Sequence, residues 1–139
     1  VRGDPAELRR RYASFHADAR SLLAAVDEVL KQALYDRDPL PEWSRGRVTL
    51  LGDACHPMLP FMAQGAGMAI EDAIVLARHL EGKDPVTTPA ALRAYTRTRL
   101  ERTSRVQAGS RANDWLREGN NGDWLYAYDA WRTPLAVAD

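Results

Sequence analysis

Gly46-Arg47-Val48-Thr49-Leu50-Leu51-Gly52-Asp53-Ala54-Cys55-His56-Pro57, continued by Gln64-Gly65-Ala66-Gly67-Met68-Ala69-Ile70-Glu71-Asp72-Ala73, decides how this chain is read. Arg45-Gly46 is a turn signal, and the apolar run over 48–51 predicts a short strand buried on both faces. The strand stops at Gly52-Asp53, and a loop stiffened by Pro57 and Pro60 follows. Prolines remove backbone donors there, which leaves carbonyls free to face a ligand. Small residues then open a helix expected over 67–80, with Met68, Ile70, Val75 and Leu76 inward and Gly82 just past its end. This layout sets a carboxylate at a strand end and, after the loop, the free amides and positive dipole of a helix N-terminus. It suits a ligand with hydroxyls and an electron-poor or anionic ring.

Outward from this centre, helices dominate. Asp4-Pro5 pairs an N-cap acceptor with proline at the first helical position, and Leu8, Tyr12 and Phe15 predict a helix over 4–15. A second helix is expected from Asp18, burying Leu22, Leu23 and Val26. Residues 31–38 alternate loosely and predict a strand, ended by Pro39 and Pro41. Beyond the loop at 81–85, Thr88-Pro89 opens a long helix running past Arg105 toward Leu116. Its sparse apolar positions are Leu92, Tyr95, Leu100 and Val106, while Arg93, Arg97 and Glu101 form a charged face, so it reads as half solvated. Residues 118–123 read as a turn before an aromatic tail over 124–131.

Composition bounds the function. The chain has 139 residues, a formal net charge of zero and one cysteine. That is enough for one small domain and excludes an internal disulfide framework. No apolar run approaches the roughly 20 residues of a membrane span, and the first residues do not form a signal peptide. A cytoplasmic location is expected. Two evident strands are too few to flank a buried one, so the chain is expected to be a piece of a longer polypeptide. Trp115, Trp124, Tyr126, Tyr128 and Trp131 alternate with Arg111, Arg117 and Arg132. Neutral charge and the interspersed Asp114, Glu118, Asp123 and Asp129 argue against a nucleic-acid platform. A hydrophobic clasp onto the body, or a dimer contact, is the better expectation.

The Gly52-Asp53-Ala54-Cys55-His56-Pro57-Met58 and Gln64-Gly65-Ala66-Gly67-Met68-Ala69 segments resemble the second flavin motif of the FAD-dependent aromatic hydroxylases. The Asp-Ala-Cys-His-Pro-Met wording and the aromatic tail are similar to the branch holding salicylate and 6-hydroxynicotinate hydroxylases. The resemblance implies an α+β fragment, mostly helical, from the C-terminal part of a Rossmann-like FAD-binding monooxygenase fold. It divides the chain into residues 1–45 (end of the substrate-domain region), 46–86 (strand, loop and helix of the flavin motif) and 87–139 (long helix and tail). The family's N-terminal Gly-rich fingerprint is absent. Residues 65–70 do not replace it, because they follow a loop instead of a strand.

The same resemblance implies site residues. Asp53, with Gly52, would bind the ribityl chain of FAD. Gly65, Ala66, Gly67, Met68 and Ala69 would face the flavin ring, and Pro60 and His56 would border the substrate. It further implies NADH or NADPH as reductant, O2, a flavin C4a-hydroperoxide, and a small aromatic substrate. Glu71 answers the helix dipole on this reading, and Asp72 supports the site from behind. Cys55 reads as a small buried thiol. With His16 and His79 on separate helices, no metal site is expected. A missing N-terminal portion, or self-association, is the expected protein partner. Two alternatives stand beside this reading: a related flavoprotein with different oxidative chemistry, and a non-catalytic helical interaction module.

Overall fold

Asp4 and Pro5 start the first helix as their chemistry requires. The computed structural model describes residues 1–112 and 122–139. The features expected at Asp114, Trp115, Leu116, Arg117 and Glu118, and most of the 118–123 turn, lie outside the described residues. Two units divide the chain, residues 1–34 and 35–139.

In the first unit, β1 (Arg2–Gly3) pairs antiparallel with β2 (Val29–Leu30). Between them lie α1 (Pro5–Arg11) and α2 (Ala17–Ala24). Asp4 Oδ1 accepts from the Ala6 N–H at 2.8 Å, the expected cap. Helix α1 stops short of residue 15, and the Tyr12 and Phe15 rings meet edge-on at 4.9 Å instead of continuing it. Arg9 closes the helical hairpin by donating to the carbonyls of Ala24 and Val26 at 3.1 and 2.9 Å.

In the second unit, β3 (Ser44–Arg45) and β4 (Val48–Thr49) form an antiparallel hairpin. Its two-residue turn has Gly46 at φ +59°, the first position at which a primed hairpin turn favours glycine. Two 3₁₀ turns, Gly52–Ala54 and Pro60–Met62, lead into α3 (Gly65–Leu80). Helix α4 (Thr88–Ala112) and the short α5 (Asp123–Tyr126) complete the described elements.

Four expectations are corrected. Helix α2 fully buries none of its residues, and Leu22, expected inside, is 74% exposed. Residues 31–38 form no strand; the ladder residues are Val29 and Leu30. Residues 36–38 are tied down by side chains: Gln107 Nε2 donates to the Arg37 carbonyl at 3.0 Å, and Arg111 pairs with Asp36 and Asp38. The strand over 48–51 is only Val48–Thr49, and it is not buried on both faces, since Val48 is 69% exposed. Its one strand partner among the described residues is β3, so its other edge is unpaired and Val48 is left exposed. Ile70 is exposed, because it lies roughly 200° around α3 from Met68, and the inward stripe is Met68, Asp72, Val75 and His79.

The core of the second unit forms where α3 crosses α4. Trp43, Cys55, Val75, Tyr95 and Ala130 make one buried cluster, and Met62, Met68, Val106 and Leu125 make another. Helix α4 presents Arg93, Arg97 and Glu101 to solvent as expected, yet its other side is deeply buried from Ala91 to Ser110.

The aromatic tail is a clasp within this unit, and arginines hold it. Arg78 donates to the Ala130 and Thr133 carbonyls at 2.8 and 2.9 Å. Arg102 donates to those of Trp124 and Leu125 at 3.0 and 2.8 Å, while its guanidinium covers the Tyr128 ring at 3.9 Å. Arg105 stacks on Trp124 at 3.8 Å. Arg102 also pairs with Glu71 through two bonds of 2.7 and 2.8 Å. Arg102→Gln should therefore cost about 2–4 kcal/mol, as for loss of a largely desolvated charge pair. Urea midpoints measure the loss, and limited proteolysis should show cleavage entering residues 122–139 first. An unchanged midpoint with a protected tail would contradict the clasp.

Candidate functional site

Gly52 begins the site because only glycine fits there. Its φ is +61°, and a Cβ would stand 3.0 Å from the Ala69 Cβ of α3. The left-handed turn lets the backbone reverse directly against that helix. The Gly52 carbonyl then accepts from the N–H groups of Cys55 and His56, both at 3.0 Å. Asp53 and Ala54 are left exposed at the apex of the turn.

Asp53 carries no hydrogen bond or ion pair among the described residues. Its Oδ1 lies 3.8 Å from where a Gly65 Cβ would be, so the carboxylate stands beside the start of α3. That start is open. No side chain caps it, and the first helical hydrogen bond runs from the Met68 N–H to the Gln64 carbonyl at 2.9 Å. The amides of Gly65, Ala66 and Gly67 precede that bond and point out of the helix end. Ala63, just before, holds φ +52°, a left-handed conformation that costs a non-glycine residue roughly 1–2 kcal/mol.

The expected site residues separate into two groups. Asp53, Gly65, Ala66, Gly67 and Ala69 are brought together around this opening, with Gly52 packed beneath Ala69. Pro60 is exposed on the neighbouring 3₁₀ turn. Met68 turns its side chain into the core at 0% exposure and offers the site no side-chain surface. His56 is also buried, at 1% exposure, and its Nε2–H points to Asp72.

Asp72 is the buried hub behind the opening. Its Oδ2 accepts from the Gly52 N–H at 3.1 Å and from His56 Nε2 at 2.5 Å. Its Oδ1 accepts from Arg99 Nε at 2.7 Å. Burial pushes the Asp72 carboxyl up, but the hydrogen bonds from His56 and Arg99 and the Arg99 charge outweigh it, holding the group below its ordinary range. Arg99 is driven the opposite way: burial lowers it, and Asp72 and Glu71 raise it further. The sequence reading gave Asp72 a supporting role and missed Arg99. A signal was available, because Arg99 falls on the stripe Leu92, Tyr95, Arg99, Thr103, Val106, Ser110, spaced by threes and fours.

Cys55, His56 and Asp72 place ligand atoms within 4.8 Å of one another. Both Asp72 oxygens already accept hydrogen bonds, one of them from a guanidinium, and Cys55 Sγ approaches the Gly52 carbonyl at 3.2 Å. A cation there would face the Arg99 charge, so the trio is a hydrogen-bond network.

The chain and its fold match known proteins. Residues 5–110 match the family described as FAD binding domain, and the chain belongs to that family. It is 51% identical over 135 residues to the 6-hydroxynicotinate 3-monooxygenase of Bordetella bronchiseptica, covering 97% of this chain and 35% of that protein. Among solved structures, a salicylate hydroxylase substrate complex matches with a TM-score of 0.75 at 32% identity, over 94% of this chain and 36% of that one. Klebsiella pneumoniae HpxO, complexed with FAD and uric acid, matches with a TM-score of 0.72 at 31% identity, over 88% and 32%. The chain thus spans about a third of the length of these relatives. No helix among the described residues is long and apolar enough to cross a membrane.

Burial, followed by the Asp72 charge, pushes the Cys55 thiol from 9.0 up to about 12. Native Cys55 should therefore resist a thiol reagent at about pH 8, where reaction needs the thiolate, and react once the chain is unfolded. The sign of the linkage follows: the thiol's contribution is intact below 9.0 and is lost as pH rises toward about 12. Stability should fall there by about 1.4 kcal/mol per pH unit from this group. Fast labelling of the folded protein would refute the buried placement.

Proposed function

We propose that this chain is the C-terminal portion of an FAD-dependent monooxygenase that hydroxylates a small phenolic or hydroxy-carboxylate aromatic ring, using NADH or NADPH and O2. The observation that carries the reading is an unpartnered carboxylate, Asp53, standing beside the uncapped N-terminus of α3. The donor set fits FAD: Asp53, with Gly52 shaping its turn, accepts from the ribityl hydroxyls. Such charge-assisted bonds are among the strong ones. Gly65, Ala66 and Gly67 would offer open amides and the helix dipole to the flavin ring, and the small Ala69 lets the Gly52 turn pack against the helix. The bound flavin, once reduced, supplies the oxygen-activating chemistry. Pro60 borders the substrate through its exposed ring, since its carbonyl accepts from the Ala63 N–H at 2.9 Å and that of Pro57 from Gln107 Nε2 at 2.8 Å. His56 acts from below the turn, through Asp72.

Membership of the FAD-binding family and the names of the relatives support this reading. Residues 1–45 then close the substrate-domain region, 46–86 hold the flavin and 87–139 buttress it. The uncovered edge of β4, with Val48 exposed, pairs with the rest of the polypeptide or with a second copy, since natural proteins seldom leave a strand edge bare. The free thiol of Cys55 suits a reducing cytoplasm.

Asp53→Ala in the full-length protein tests the assignment. Losing a charge-assisted acceptor costs about 1.5–3 kcal/mol, so the Kd for FAD should rise roughly ten- to hundredfold. The apoprotein melting temperature should hardly move, because Asp53 is exposed. Cys55→Ala serves as the control and should retain its flavin. Full flavin content in Asp53→Ala would remove the ribityl role.

A further inference from the structure

Asp53 is held by nothing of its own. Its side chain has no partner among the described residues, so its position is inherited from the backbone of the turn. That turn closes on a single atom. Asp72 Oδ2 receives the Gly52 N–H at 3.1 Å from one end and His56 Nε2 at 2.5 Å from the other, with Asp53 between them. Asp72 belongs to α3, the same helix whose open amides face Asp53. One side chain therefore sets the spacing between the exposed carboxylate and the helix N-terminus.

Asp72 is itself oriented from behind. Arg99 Nε takes Oδ1 at 2.7 Å, and the same guanidinium reaches Glu71 Oε2 at 2.8 Å and the Met68 carbonyl at 3.4 Å. Both Asp72 and Arg99 are 0% exposed. A desolvated ion pair is a poor way to stabilise a helix contact, since apolar residues of similar volume do it as well or better. What apolar residues cannot do is receive a turn's N–H and an imidazole in fixed directions. We propose that Asp72, oriented by Arg99, is a positioning residue for flavin binding that aims the Asp53 carboxylate at the ribityl hydroxyls. The proposal rests on the flavin reading of Asp53.

A double-mutant cycle in the full-length holoenzyme tests it, with Asp72→Asn, Asp53→Asn and the combination. The Kd for FAD is read from quenching of flavin fluorescence, and visible circular dichroism reports the setting of the flavin that stays bound. Far-ultraviolet circular dichroism checks folding. Asp72→Asn should weaken FAD by roughly tenfold or more and alter the visible signal of the bound flavin. On the Asp53→Asn background it should weaken FAD by less than about twofold further, because groups acting through one another are not additive. If Asp72→Asn fails to fold, Arg99→Lys takes its place in the cycle. Lysine keeps the charge but lacks the fork that reaches Asp72 and Glu71 together.

Unchanged affinity in folded Asp72→Asn, or an equal loss on both backgrounds, overturns the positioning role. If Asp53→Asn weakens FAD while Asp72→Asn does not, the positioning role alone falls. If Asp53→Asn binds FAD as the parent does, the flavin reading of Asp53 falls and takes the proposal with it.

Discussion

The carboxylate of Asp72, on α3, ties two other pieces of the second unit to that helix: the turn, through the Gly52 N–H and the His56 ring at its two ends, and Arg99 in the middle of α4. At 0% exposure it cannot be solvated if any of these is withdrawn. A buried carboxylate stripped of one partner is penalised by several kcal/mol, so the three pieces are coupled. The turn cannot move without α3, nor α3 without α4. The hydrophobic clusters around Tyr95 and Met68 supply the adhesion of this unit, but they do not supply this registry.

Arginine extends the same logic outward. Arg99 sits at the centre, Arg102 beside it bridges Glu71 to the tail, Arg78 holds the Ala130 and Thr133 carbonyls, and Arg105 covers the Trp124 ring. A planar guanidinium can satisfy a carboxylate, two carbonyls and an aromatic face at once. Lysine cannot. The near-complete preference for arginine in this sequence thus has a structural use in α3, α4 and the tail.

Exposure and burial alternate between neighbouring residues. Asp53 and the amides of Gly65 to Gly67 stay open, while Gly52, His56 and Asp72 are sealed behind them. An exposed carboxylate alone would be an ordinary surface group, and an uncapped helix end alone an ordinary fray. Their juxtaposition, built by a turn that only glycine permits, is what suits a flavin. Membership of the FAD-binding family agrees with that chemistry, and the bare edge of β4 agrees with a chain spanning a third of its relatives.

Local chemistry made much of this legible beforehand. The Asp4-Pro5 start, the Gly46 turn, the Gly-Asp stop, the small-residue opening of α3 and the Gly82 end each depend on backbone rules acting over a few residues. The sequence by itself therefore determined the main helices and the turns between them. It overstated the strands, because an apolar run such as 48–51 does not reveal whether a neighbouring strand exists, and residues 36–38 are held by side chains of α4. Only the tertiary structure decided that Ile70 faces out and that Arg99 is buried. A charge becomes tolerable inside a protein only when partners distant in sequence converge on it, here Asp72 and Glu71 from another helix.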